Sequence, residues 1–183
     1  YTNFILHAAR GNCNPQFPML YYFNRLLTFI IIFGGMDMEP QKKLLMIVNP
    51  RAGRSKPRGP LYDAAAALCD AGYLLRIRRT TAAGDAARIA AQEGGDYDTV
   101  VAVGGDGTLN EVISGIQTLK TPPVVGYLPQ GSTNDFAASL EIPSDPVQAA
   151  EAIVRGQRRQ LDIGRFGERI FVYVASFGAF TRT

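Results

Sequence analysis

From Lys43 onward, short apolar β-prone runs alternate with longer stretches whose apolar residues recur at helical spacing. "KLLMIV" (43–48) predicts a strand. The loop "NPRAGRSKPRGP" follows it, then an alanine-rich helix over 61–71 closed by Gly72. "YLLRIRRT" (73–80) reads as a strand with alternating faces, and "TAAGDAARIAAQEGG" as a helix begun near Gly84 and Asp85 and ended by Gly94 and Gly95. "DTVVAV", "GGDGT" and "LNEVISGIQTL" (98–119) make a third strand, loop and helix; "PVVGYLP", "QGSTN" and "DFAASL" (123–140) make a fourth. A further helix is expected over 145–155, with Pro146 in its first turn.

Strands and helices alternating at this spacing predict an α/β fold: a doubly wound, mostly parallel sheet with helices on both faces. Near Arg158 the pattern changes. "QLDIGRF" and "RIFVYVASF" read as consecutive strands joined near Gly167, the start of an all-β second domain, a β-sandwich that the chain is expected to enter and not complete. The expected organisation is therefore an extension over 1–37, an α/β domain over 38–157 and the first β strands over 158–183.

The first 35 residues read differently. They hold 8 of the chain's 18 aromatics and begin at Tyr1, whereas Met36 or Met38 precedes the first clean strand and is the expected start. Their apolar run near 26–33 is well short of the roughly 20 residues that span a bilayer. A signal peptide would need a basic opening and a small-residue cleavage site, and neither is present. Translated upstream sequence or a poorly ordered extension is the expectation.

Composition narrows the function. With 183 residues and 46% hydrophobic content the chain can bury a substantial core. The net charge is only +3, but basic residues cluster at Arg51, Arg54, Lys56 and Arg58, at Arg76, Arg78 and Arg79, and at Arg155, Arg158 and Arg159. Such clusters suit phosphates or an anionic membrane surface, although a solvated face is the commoner reason for any one of them. No nucleic-acid-reading motif accompanies them. Cys13 and Cys69 have neither metal-ligand nor disulfide-scaffold spacing, which fits a reducing, cytoplasmic setting. One histidine, His7, and no G-x-S-x-G elbow leave hydrolase triads without parts.

In a doubly wound sheet, ligands bind outside the carboxyl ends of the strands. Three glycine-bearing loops leave those ends, at 49–54, 104–108 and 129–134. Glycine lets backbone amides approach an anion, and helix N-termini favour negative charge there. Any one such loop is adequately explained as a tight turn; three in order point to a polyphosphate. "GGDGT" matches neither the dinucleotide fingerprint nor Walker A. Asp106 would repel a phosphate unless a divalent cation lay between them, which suggests magnesium; a turn or helix-capping role is the plainer alternative.

"NPRAG", "GGDGTLNEV" and "PQGSTNDFA", in this order, resemble the catalytic domain of the diacylglycerol kinase family, in particular soluble bacterial lipid kinases related to sphingosine kinases. "GGDGT" alone is shared with NAD kinases; "PQGSTNDFA" is the discriminating piece. The resemblance extends from about Lys42 to the end. It implies ATP and Mg2+ as cofactors, nucleotide contacts from Asn49, Pro50, Gly53, Arg54, Thr80, Gly104, Gly105, Gly107, Thr108, Gly131, Ser132, Thr133 and Asn134, with Asp85 nearby. It implies catalytic roles for Asp106 and Asp135, with Asp106 on the metal. Relatives often carry lysine shortly after the first loop's glycine, where this chain has Arg54 and then Lys56.

The implied substrate is a lipid reached at the membrane surface, with peripheral contact through the basic patches, no nucleic-acid partner, and a homodimer left open. The general base is expected beyond Thr183. Two alternatives stand beside the lipid kinase: a NAD-kinase-like enzyme, and a nucleotide-binding module without catalysis.

Overall fold

"KLLMIV" forms β1 (Lys43–Val48), in which Leu44, Leu45, Met46 and Ile47 are all fully buried. Consecutive strand side chains point to opposite faces, so both faces of this sheet must be covered. The computed structural model describes residues 41–53, 59–156, 158–166 and 169–172. Four expectations lie outside those residues: the extension with its candidate starts, the side chains of Arg54, Lys56 and Arg58, the Gly167 turn, and the end of the second hairpin strand.

After β1 come α1 (Gly59–Asp70), β2 (Leu74–Arg79), α2 (Asp85–Glu93) with a 3-10 turn over Gly94–Asp96, β3 (Thr99–Gly104) and α3 (Asp106–Ile116). Then follow β4 (Val124–Pro129), α4 (Asp135–Ser139), α5 (Pro146–Arg155), β5 (Gly164–Phe166) and β6 (Arg169–Phe171). The sheet order is β2-β1-β3-β4, and every pairing in it is parallel. The chain leaves β1 toward one side for β2 and returns to the other side for β3. That reversal is the switch point at which doubly wound folds open a crevice.

Two buried clusters confirm the double covering. Leu45, Ile47, Val100, Ala102 and Tyr127 pack under α2, α3 and α4 through Ile89, Leu109, Val112 and Phe136. On the opposite face Leu44, Met46, Val101, Val103 and Leu128 pack under α1 and α5 through Ala64, Leu68, Ala149 and Ala150. β2, at the edge, is less covered. Its Arg76 and Arg78 both pair with Glu93, Leu75 reaches the core, and Leu74 and Ile77 remain more than half exposed.

The principal departure from expectation is the start of α3. The run "GGDGT" is almost no loop: Gly104 ends β3, Gly105 is the N-cap, and Asp106 to Thr108 already form the first helical turn. The Gly105 carbonyl accepts from the N–H groups of Thr108 and Leu109 at 2.9 and 3.1 Å, which closes that turn. Helix α5 begins as expected, with Asp145 accepting from the Gln148 N–H at 3.0 Å and Pro146 in the first turn. After it, β5 and β6 pair antiparallel as a separate two-stranded sheet. Among the described residues no helix is long and apolar enough to cross a membrane.

Candidate active site

The loops leaving β1, β2, β3 and β4 enclose a crevice of about 460 Å³. Of the residues expected there, Asn49, Gly53, Thr80, Gly105, Gly107, Thr108, Gly131 and Ser132 line it. Pro50, Gly104, Asp106, Thr133, Asn134 and Asp135 are not among the lining residues, and Arg54 lies outside the described ones. Arg51 and Ala52, inside the expected 49–54 loop, line it as well, and so do Thr81, Ala82, Ala83, Ala86 and Glu111, which no motif in the sequence singles out.

Asn49 is held from both ends of its amide. Nδ2 donates to Thr108 Oγ1 at 3.0 Å, and Oδ1 accepts from the Arg51 N–H at 3.0 Å. Gly104, though off the crevice, makes this contact possible: a Cβ on it would stand 2.7 Å from Thr108 Cβ. In the first turn of α3 the Thr108 N–H is taken by the Gly105 carbonyl at 2.9 Å, whereas the N–H groups of Asp106 and Gly107 have no carbonyl one turn behind them and are available to an anion. Arg51, exposed, is the one cation among the described lining residues.

The turns after β3 and β4 meet backbone to backbone. A Cβ on Gly131 would lie 2.6 Å from Gly105 Cα and 2.6 Å from Asn134 Oδ1. Asn134 is buried and left-handed at φ 52°, and its amide closes on Gly131, accepting from the N–H at 2.8 Å and donating to the carbonyl at 3.0 Å. Its side chain thus shapes the turn from inside. Asp106 reaches the same turn: Oδ2 accepts from the Asp135 N–H at 3.0 Å and Oδ1 from the Tyr127 hydroxyl at 3.3 Å. Burial, then the Asp106 charge, push the Tyr127 phenol well above its usual range, so it stays a protonated donor.

Glu111 anchors the remaining wall. Its Oε1 accepts from the Gly84 N–H at 3.0 Å and its Oε2 from the Ala86 N–H at 3.2 Å, so a carboxylate of α3 caps the start of α2. Gly84, the α2 N-cap, has no side chain to do this itself. Asp85 organises the residues before it, Oδ2 accepting from the Thr81 N–H and hydroxyl at 2.8 and 2.6 Å and from the Ala82 N–H at 3.1 Å. The Thr81 hydroxyl foremost, with the Thr81 N–H, Arg88 and the Ala82 N–H, holds the Asp85 carboxyl far below the usual carboxylate range.

Among the described residues no group of three or more His, Cys, Asp or Glu is gathered as a metal cage. Magnesium with a nucleotide needs less: one or two carboxylates, with waters and phosphates completing the shell. Asp106 accepts one hydrogen bond on each oxygen and has lone pairs to spare, and Asp135 adjoins it, so the donors present fit such an ion.

Fold and crevice together define an α/β protein with a glycine-lined crevice at the switch point of a parallel sheet. Residues 43–166 match the family model of the diacylglycerol kinase catalytic domain, and the chain belongs to that family. It is 38% identical over 143 residues to a diacylglycerol kinase of Bacillus subtilis (strain 168), an alignment covering 76% of this chain and 47% of the relative. A diacylglycerol kinase of Staphylococcus aureus (strain MRSA252) is 38% identical over 145 residues, covering 78% and 45%. A crystal structure of a diacylglycerol kinase from Bacillus anthracis (strain Sterne) superposes with a TM-score of 0.65 at 28% identity, covering 74% of this chain and 47% of that one. The chain thus spans slightly under half the length of these relatives.

Proposed function

We propose that this chain supplies the ATP-binding half of a lipid kinase that transfers the γ-phosphate of ATP to the hydroxyl of diacylglycerol or a similar lipid, giving phosphatidic acid. Gly107 carries the reading. It sits in the first turn of α3 and lines the crevice, a Cβ on it would meet nothing within 4 Å, and its φ is not left-handed. Neither packing nor backbone conformation asks for glycine there, although glycine inside a helix costs about 1 kcal/mol relative to alanine. A ligand lying against the backbone supplies the reason.

Phosphoryl transfer asks mainly for positioning and charge neutralisation. The open N–H groups of α3 receive phosphate oxygens, Arg51 adds positive charge, and Gly131 and Ser132 close the opposite side. Asp106 and Asp135 are the residues that would hold Mg2+, which would neutralise the charge of the phosphates there. By the family resemblance, the base for the acceptor hydroxyl would lie beyond Thr183.

Arg76 and Arg78 share Glu93, and Arg155 pairs with Glu151. Arg79, Arg158 and Arg159 are therefore the cluster members left to meet an anionic membrane surface from the cytoplasmic side.

Titrating ATP, with and without magnesium, into wild type and Gly107→Val tests the binding half. Wild type is expected to bind and the folded variant to bind far more weakly; folded wild type that binds no ATP overturns the reading. Labelled ATP offered with diacylglycerol, sphingosine or NAD separates the outcomes. Label in phosphatidic acid supports the proposal, label in NADP favours the NAD-kinase alternative, and binding without transfer favours the non-catalytic module.

A further inference from the structure

Tyr127 is a buried tyrosine on β4, 5% exposed, with its ring edge-on to Phe136 at 6.2 Å between centroids. Phenylalanine would fill the same space without a polar atom to satisfy, so the hydroxyl needs its own reason. It has one proton and faces two acceptor oxygens, Asp106 Oδ1 at 3.3 Å and Asn134 Oδ1 at 3.4 Å. Asn134 Oδ1 already accepts from the Gly131 N–H at 2.8 Å, and the ionised carboxylate is the stronger acceptor, so the proton goes to Asp106.

That bond orients a carboxylate that, among the described residues, is otherwise held by the Asp135 N–H on its other oxygen. A cation that drew on Oδ1 would compete for the same lone pairs. The hydroxyl could then turn about its C–O bond to Asn134 Oδ1, and no buried polar group would be left without a partner.

We propose that Tyr127 is a positioning residue for Asp106. Its hydroxyl fixes the direction of the carboxylate that would receive a divalent cation with nucleotide, and Asn134 Oδ1 is the second acceptor to which it could turn. This inference rests on the lipid-kinase reading above, through the role given there to Asp106. Partners that orient a metal-binding side chain are worth about 10-fold to 100-fold in metal affinity.

The test uses the whole chain with Mn2+ and ATP, free Mn2+ being read by electron paramagnetic resonance. Tyr127→Phe is expected to weaken Mn2+ binding in the presence of ATP about tenfold, while metal-free ATP binding in EDTA and the melting temperature stay close to wild type. On an Asp106→Asn background the same substitution is expected to change Mn2+ affinity no further. Unchanged Mn2+ affinity in Tyr127→Phe overturns the inference. So does an equal loss with and without metal, which would make Tyr127 a packing residue only. Wild type that binds no ATP overturns the kinase reading itself, a result distinct from wild type that binds Mn2+ and ATP with Tyr127→Phe indistinguishable from it.

Discussion

Asn49 donates through Nδ2 to Thr108 Oγ1 at 3.0 Å, tying the loop that leaves β1 to the first turn of α3. The two residues are 59 positions apart, and Thr108 is buried. Replacing the hydroxyl by a methyl leaves the Asn49 amide facing carbon. Thr108→Val is therefore expected to lose about 1–2 kcal/mol of stability in urea unfolding. It should also bind ATP more weakly, because two walls of the crevice are no longer fastened together. A variant as stable as wild type would show that the bond contributes nothing net.

Gly107 and Gly131 should respond in opposite ways to the same change. At Gly107 an added Cβ meets open space, so Gly107→Ala is expected to leave stability unchanged or raise it by up to about 1 kcal/mol while ATP affinity falls. At Gly131 the added Cβ meets the Gly105 backbone at 2.6 Å, and Gly131→Ala is expected to destabilise by about 1–3 kcal/mol. Melting curves beside ATP titrations on both variants read the contrast. Loss of stability at Gly107 would remove the ground for placing a ligand there.

Much of the architecture was legible because each strand carries its own signal. β1, β3 and β4 are apolar, β-prone runs bounded by Gly, Pro or Asn, and buried parallel strands require that composition. The glycine loops marked the crevice for the same local reason. What escaped were relationships between distant positions. Asp106 meets the Asp135 N–H 29 residues away and Tyr127 21 residues away, and no periodicity in either segment announces that. The sequence pattern starts α3 too late because glycines normally argue against helix, yet Gly105 serves as its cap. Glu111 had a usable sign: four residues beyond Gly107, it falls on the same helix face.

Glu111 holds two backbone N–H groups at the start of α2, so its contribution can be measured where it acts. Glutamine keeps one accepting oxygen and sets an NH2 group against the other N–H. Glu111→Gln is expected to lose about 1–2 kcal/mol, with faster hydrogen exchange at the Gly84 and Ala86 amides than elsewhere in α2. ATP affinity should fall with it, since residues 80–83 form the wall this carboxylate holds. Unchanged exchange at both amides would mean that another group caps the helix.

Asp85 sets the acid limit of the same wall. Its carboxyl is held far below the usual range by the Thr81 hydroxyl first, then the Thr81 N–H, Arg88 and the Ala82 N–H. A carboxyl with a lower pKa in the folded state than in the unfolded one stabilises the fold in its ionised form. That stabilisation is complete above the unfolded value of about 4 and is lost as pH falls below it toward the folded value. Melting temperatures of wild type and Asp85→Asn should therefore differ by a constant amount from pH 8 down to about pH 5. Below about pH 4 the two curves should converge, the wild type losing stability faster because its unfolded chain takes up the proton first. A difference that held constant to pH 2 would show that the turn at Thr81 draws nothing from the charge of Asp85.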